Sequence, residues 1–553
     1  MNRNESSLIE TPPEDLWRFM PISALALVFW VSLAGAGEPT TNPWLAKSAY
    51  PISHHNAAQT DSTPVDGPSV GKKLTADDVK TVPLLWSSAP TYKNVGGERI
   101  IVAANPAGII KVKASGEDFT LVSDVPYPGM EDIHADVTAA RLDETMQRLD
   151  QKRRSKQDFL LMINAMWMYV KFNINFSTFP SGSYSVIDRD GFHYTNYNKH
   201  YLVKSFDKNR VDQPLLPVAH ADIVAQMATT DAEQINYILG ISMTYDGFLV
   251  VASGGAIMVV DRNLKLQDYL MFPGEYSENS IAVDENNGIY VVTSTTMHKL
   301  VWTGTELSRD EKDGAWSSPY EVMPEGEAKK LGAASHGSGT TPSLLGFGDA
   351  EDALVVISDG SPDGANLVAF WRDDIPAGFR QKPGTLSRRI ADQIPIEISQ
   401  TTIEASLVTH ANGVLVVNST YPDPAPMPGD LISNAFLAGS TREPPRGIKK
   451  FEWLPDENRF VASWTMSDID NTDWMPPAVS TSNGLVYIAN RRNDIYEYLA
   501  ADWETGEVKA VWEFPDDSVL WNNWGGITVF LEDGDLLLGG FFAIKRYNIG
   551  ALR

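Results

Sequence analysis

The side chains best suited to chemistry lie in short polar loops. Ser335-His336-Gly337-Ser338-Gly339-Thr340-Thr341-Pro342 is small, polar and loosened by glycine. His336 would act there as general acid or base near neutral pH, and hydroxyls such as that of Thr341 would position a substrate. His134, in Pro128-Gly129-Met130-Glu131-Asp132-Ile133-His134, is a weaker second candidate for moving a proton. Glu131 and Glu404 offer the carboxylate oxygens that a hard divalent cation prefers. Trp521-Asn522-Asn523-Trp524-Gly525-Gly526 sets the amide of Asn523 beside the ring of Trp524, a pairing that can stack on a ring-shaped ligand and hydrogen-bond its edge. His54-His55 invites a metal reading, but neighbouring histidines on a loop ordinarily do nothing chemical. Each of these loops is equally compatible with plain structural hydrogen bonding. The chain has no cysteine, which excludes disulfides, thiolate metal sites and cysteine nucleophiles. It also lacks a Gly-x-Ser-x-Gly elbow, a phosphate-binding P-loop, a dinucleotide glycine fingerprint and a His-Glu-x-x-His motif.

Loops of this kind need a scaffold that brings distant positions together, and a recurring unit supplies one. A short apolar stretch, an Asp-Gly or Asn-Gly dipeptide and a run of aliphatic residues recur at Ile241–Ser253, Ile281–Ser294, Ser406–Ser419, Val479–Asn490 and Ile527–Gly540. Looser copies occur at Ser343–Ser358, Arg99–Val112 and Tyr184–Phe206. The dipeptides suit tight hairpins, and the aliphatic runs suit strands buried on both faces. A more polar third strand follows, as in Ala256–Asp261, His298–Trp302, Leu367–Trp371 and Ile495–Leu499. The reading is an all-β chain, a closed β-propeller of about seven or eight four-stranded blades. The last blade lacks an outer strand, and residues near Val82–Trp86, or the first repeat itself, are the natural donors. In such a ring the approach to each innermost strand faces the central channel. Alignment of the repeats puts Asn279 and Glu404 at equivalent positions there, with Thr341 and Gly526 close to the same level.

Residues 278–291, with Glu278-Asn279-Ser280-Ile281-Ala282-Val283-Asp284 followed by Gly288-Ile289-Tyr290-Val291, resemble the repeat of the gluconolactonase, strictosidine synthase and paraoxonase superfamily of calcium-dependent propellers. The resemblance covers one repeat well and the others loosely, and noncatalytic NHL-type propellers share much of the same wording. It implies that Asn279 ligates Ca2+ or another divalent cation, with Glu131 and Glu404 completing the set on chemical grounds. It further implies a metal-polarised hydrolase or lactonase-like enzyme acting at the central channel.

Two segments depart from the β pattern. Leu142, Met146 and Leu149 recur at helical spacing and lead to Lys152-Arg153-Arg154, so 136–168 reads as a helical insertion, packing on the propeller rather than forming a lid or membrane-touching face. Residues 38–82 are rich in Pro, Ser, Thr and Gly and read as an extended arm lying across the body, which occupies 83–553. Residues 1–37 contain the apolar run Met20–Ala36 and read as a signal peptide or membrane anchor, which places the body in the periplasm or outside the cell. The chain carries 71 acidic and 45 basic residues, and the resulting net charge of -26 disfavours nucleic acid as a partner. Two other functions stay open: a noncatalytic binding or scaffold propeller for a protein partner, and a quinone-cofactor dehydrogenase-like propeller.

Overall fold

The structure is a computed structural model that describes residues 37–552 apart from 176–180, 278, 331–334, 349, 351, 399–402 and 426–430. The proposed leader, residues 1–37, lies almost wholly outside the described residues. No helix among the described residues is long and apolar enough to cross a membrane.

The described residues form eight sheets, built around antiparallel meanders that follow one another along the chain. Their first strands are Thr91–Val95, Ser185–Ile187, Ile238–Met243, Ala282–Val283, Ser343–Leu345, Val408–His410, Ala478–Ser480 and Val529–Phe530. The turn dipeptides of the clear repeats lie between first and second strands. Gly247 and Gly534 take the left-handed conformation there, with φ of 94° and 86°. At Asn287-Gly288 the asparagine does so instead, with φ of 61°. Gly288 is required for space, since a Cβ would lie 2.5 Å from Asp284 Oδ2.

The aliphatic runs are buried on both faces because each sheet has a neighbour on either side. In Leu249–Ser253, Leu249 and Val251 join a core with Val186, Tyr194 and Leu202 of the second sheet. Val250 and Ala252 point the other way, to Val283, Ile289 and Val291 of the fourth. Cores of this kind join the first sheet to the second, the fourth to the fifth, the fifth to the sixth, the sixth to the seventh and the seventh to the eighth. One more joins the eighth to the first through Val529, Leu537 and Ile544 against Tyr92, Ile101 and Val112. Complete burial of each such side chain contributes about 1.5–3 kcal/mol, so the inter-sheet seams hold the molecule. This is the architecture of a β-propeller.

The eighth sheet takes its fourth strand, Val79–Ser87, from the chain ahead of the first sheet, paired antiparallel with Gly540–Tyr547. Of the residues before that strand, Lys72–Lys73 pair along the outer strand Val508–Glu513 of the seventh sheet, whereas an earlier stretch goes inward. Residues 50–63 run among the first strands. Backbone N–H groups of Tyr92, Ile187, Val283, Leu344, Thr409 and Val479 donate to the carbonyls of Tyr50, Pro51, Ala57, Ala58, Thr60 and Asp61, tying the segment to six sheets. Asn42 Nδ2 donates to Met243 O of the third at 2.9 Å, and the His55 ring lies 6.0 Å from that of Phe530 of the eighth. First-strand edges face inward with unpaired backbone groups, and this segment satisfies them.

Between the first and second sheets the described residues form three helices, α1 (Glu131–Asp136), α2 (Ala139–Arg154) and α3 (Asp158–Lys171), where the sequence suggested one. The break falls at Ser155–Gln157, where Lys156 has a φ of 51°. Leu142 and Leu149 of α2 and Leu161, Met162, Ala165 and Met168 of α3 pack with Trp86, Trp524, Phe541 and the helix Leu431–Leu437. The opposite face of α3 leaves Phe159, Ile163, Trp167 and Val170 exposed.

Candidate functional site

A cavity of about 350 Å³ opens where the approaches to the eight first strands meet. Every sheet contributes to it: Ser88, Tyr184, Tyr237, Asn279, Gly339, Glu404, Trp474 and Trp524 come in turn from the residues just ahead of the first to eighth sheets. Trp86 adds to the wall, and His54 of the inserted segment belongs to the lining as well. A central pocket that samples all the repeats is therefore bounded from within by the threaded segment.

One wall is aromatic and fixed in place. Trp474 and Trp524 stack with centroids 5.9 Å apart, and Trp86 tilts against Trp524 at 6.4 Å. Trp86 Nε1 donates to Trp524 O at 3.0 Å, and Trp524 Nε1 donates to the Tyr421 hydroxyl at 3.1 Å. Trp474 sits at a φ of 50°, a conformation that a bulky residue holds only where its surroundings impose it.

The opposite arc is polar. Asn279 Oδ1 accepts hydrogen bonds from the Tyr184 hydroxyl and from Thr341 Oγ1, the latter at 3.0 Å, while Asn279 Nδ2 donates to Gly339 O at 2.5 Å. Burial pushes the Tyr184 phenol above its ordinary range. Asn279 therefore ties together loops from the second, fourth and fifth sheets. Glu404 Oε1 accepts from Ser335 N at 3.3 Å. Its carboxylate lies against Gly339, where a Cβ would come within 1.9 Å of Oε2.

The histidine pair contributes what the sequence did not reveal. His54 and His55 are both buried, with φ of 62° and 71°. His54 Nδ1 meets Asp61 Oδ2 at 2.7 Å, and His55 Nδ1 approaches Asp61 Oδ1 at 3.6 Å. Burial alone would raise the Asp61 carboxyl, but the two imidazoles hold it below the usual carboxylate range. Burial also lowers the His55 pKa. His54 lines the central pocket, whereas His55 lines a separate cavity together with Ala46, Lys93 and Asp188.

The remaining expected residues scatter. Asn523 is buried beside the pocket, but its Oδ1 accepts from Lys545 Nζ at 2.9 Å. His336 is half-buried with Nδ1 at 3.0 Å from Met323 O, and it is not in the pocket lining. His134 sits on α1 and meets Asp124 at 2.7 Å, a hydrogen bond that raises its pKa. Glu131 is exposed in the first turn of α1, takes a hydrogen bond from Gly129 N and is likewise outside the lining. His410 is half-buried 5.9 Å from Trp503, and burial lowers its pKa.

The oxygens assigned to a divalent cation do not form a cage. Glu131 is on a surface helix, and Asn279 Oδ1 is already taken up by two hydroxyl donors and Ser280 N. Among the described residues no group of three or more His, Asp or Glu side chains is arranged to hold a metal ion.

No family model matches the chain. It is 31% identical over 332 residues to an uncharacterized protein of Archaeoglobus fulgidus, an alignment that spans 56% of this chain and 60% of that one. Among solved structures it is similar to a quinohemoprotein alcohol dehydrogenase from Pseudomonas putida HK5, at 11% identity over 92% of this chain and 81% of that one, with a TM-score of 0.49. A europium-containing methanol dehydrogenase shares 10% identity over 90% of each chain, with a TM-score of 0.47. The C-terminal WD40 domain of Sif2 shares 10% identity over 86% of this chain and 99% of that one, with a TM-score of 0.46. The architecture rests on the sheets themselves.

The aromatic lining is what sequence reasoning missed. Trp86, Trp474 and Trp524 stand four or five residues ahead of the first strands Thr91–Val95, Ala478–Ser480 and Val529–Phe530. That shared offset was a usable signal, but only Trp524 was singled out.

Proposed function

We propose that the eight sheets are the blades of a closed eight-bladed propeller whose central pocket binds a small organic molecule. Closure is supported by the core shared between the eighth and first sheets and by the exchange of Val79–Ser87 into the last one. The binding reading is carried by one observation: all eight sheets converge on a cavity bounded by His54 of the threaded segment, with three tryptophans on one wall and polar groups on the other. Its volume of about 350 Å³ falls within the range of about 300–1,000 Å³ usual for small-molecule sites. Export of the body is part of this reading and is supported by the apolar run Met20–Ala36. A metal-dependent hydrolase gains no support from the oxygen donors described above, since Asn279 and Glu404 line the pocket but Glu131 lies on α1 and Asn279 Oδ1 is already engaged.

A scaffold role has one observation in its favour, the exposed apolar stripe Phe159, Ile163, Trp167 and Val170 on α3. Tryptophan fluorescence separates the two. The purified protein is titrated with a panel holding a sugar lactone, a quinone cofactor, and small cationic, neutral and anionic ring compounds, alongside Trp474→Leu. Saturable quenching that weakens in the variant supports the pocket. A panel that leaves fluorescence and thermal stability unchanged rejects it in favour of the scaffold.

A further inference from the structure

Resting on that reading, we propose that the molecule held in the central pocket is a neutral, largely apolar ring compound with a hydroxyl group, a phenol or cyclic alcohol, whose O–H donates to Nε2 of His54. His54 reaches the pocket from the threaded segment and is only 2% exposed. Its Nδ1 lies 2.7 Å from Asp61 Oδ2, and because a carboxylate only accepts, Nδ1 carries the ring proton. In the neutral imidazole the lone pair is then on Nε2. Among the described residues Nε2 has no protein partner, and unlike both nitrogens of His55 it is not sealed off by its surroundings. The little surface that His54 keeps therefore includes that nitrogen. The ring is held in this pose before a ligand arrives, since His54 N donates to the Tyr50 hydroxyl at 3.3 Å and the Tyr184 ring lies 6.0 Å away.

The rest of the wall offers a ligand less. Asn279 is bonded to Tyr184, Thr341 and Gly339, and Ser88 Oγ donates to Gly525 O at 2.7 Å. Glu404 Oε1 accepts from Ser335 N, and that residue has further partners. Leu239, Ala405, Pro476 and Ile527 contribute apolar surface. A ring compound bearing one O–H satisfies His54 and buries its remaining atoms against that surface. A compound of the same shape without a hydroxyl covers Nε2 and leaves its lone pair unpaired, which costs affinity. Asp61 is then a positioning residue: an amide in its place no longer dictates which ring nitrogen carries the proton.

The test is calorimetric titration of the full chain at about pH 8, where free imidazole is neutral. Phenol is compared with toluene, in which a methyl of similar size replaces the hydroxyl, and with anisole, in which the hydroxyl is capped. Cyclohexanol and methylcyclohexane repeat the comparison without an aromatic ring. Phenol binds about tenfold or more tightly than toluene or anisole, and cyclohexanol exceeds methylcyclohexane likewise. Burial alone would rank the methyl compounds first. His54→Asn, which tolerates the left-handed backbone but has a shorter side chain, abolishes the preference. Asp61→Asn narrows it, weakening phenol more than toluene, whereas loss of a merely structural contact would weaken both alike. If neither variant folds, the ranking in the wild type decides. Hydroxyl compounds that bind no better than their methyl counterparts, or a preference unchanged in the folded variants, overturn the assignment while the pocket's small-molecule role stands. Binding by none of these compounds also overturns it, and the wider panel of ring compounds then shows whether the pocket reading falls as well.

Discussion

Asn279 separates two accounts of the pocket. Read as a metal ligand, its side-chain oxygen is what counts, and Asn279→Asp would retain or improve the site. Read from the geometry, Asn279 is a knot: Oδ1 takes the hydroxyls of Tyr184 and Thr341, and Nδ2 gives a hydrogen bond to Gly339 O. Alanine removes three bonds between loops of different sheets. At about 0.5–1.5 kcal/mol net for each, Asn279→Ala costs about 2–4 kcal/mol. Aspartate keeps the acceptor but turns the donor into a second acceptor facing a carbonyl, so Asn279→Asp costs at least as much as alanine. The assay is urea denaturation of the wild type and both variants, each with added calcium and with a chelator. An aspartate variant as stable as the wild type, together with a wild type stabilised by calcium and weakened by the chelator, would refute the knot.

Three further outcomes follow from buried groups. Asp207 bridges Lys93 and Lys111, each at 2.7 Å, and all three side chains are nearly inaccessible, so Asp207→Asn strands two ammonium groups and costs about 3–5 kcal/mol in a denaturation experiment. His193 is 1% exposed, and burial pushes its pKa down to about 3. The unfolded chain then takes up a proton below about pH 6.5 that the folded chain refuses, so stability falls with pH, by about 2 kcal/mol at pH 5 from this residue alone. Denaturation curves of His193→Gln should lose that much less than the wild type between neutrality and pH 5, and equal losses would disprove the assignment. Gly339→Ala drives a Cβ into Glu404 Oε2 and should cost about 1–3 kcal/mol in the same denaturation experiment.

The repeat was legible because its signals are local. Asp246-Gly247, Asn287-Gly288, Asn412-Gly413, Asn483-Gly484 and Asp533-Gly534 all fall between first and second strands or at the start of the second, and the aliphatic runs after them supply the inter-sheet cores. The donor of the last strand was legible too, since a propeller must pair its final sheet with something and Val82–Trp86 is apolar. The inner segment was not. It is held through backbone carbonyls given to first-strand edges, and a carbonyl leaves no trace in residue type. His54 and His55 read as idle because their partner Asp61 is polar, aperiodic and lies in the same loop. Glu131 and His336 were chosen by chemical type alone, and type does not tell whether a loop faces the axis or the rim.

Residues 50–63 bond to strands as late as Ala478–Ser480, and Val79–Ser87 waits for Gly540–Tyr547. The stretch made early thus has no resting place until nearly everything after it exists, like a bung that must be seated before the staves are drawn tight. Contacts this distant in sequence make assembly slow, because the loop-closing entropy comes due before the reward. A protease that cuts this stretch before assembly would leave the hub of the wheel hollow. After assembly, the same cut sites are shielded by the spokes.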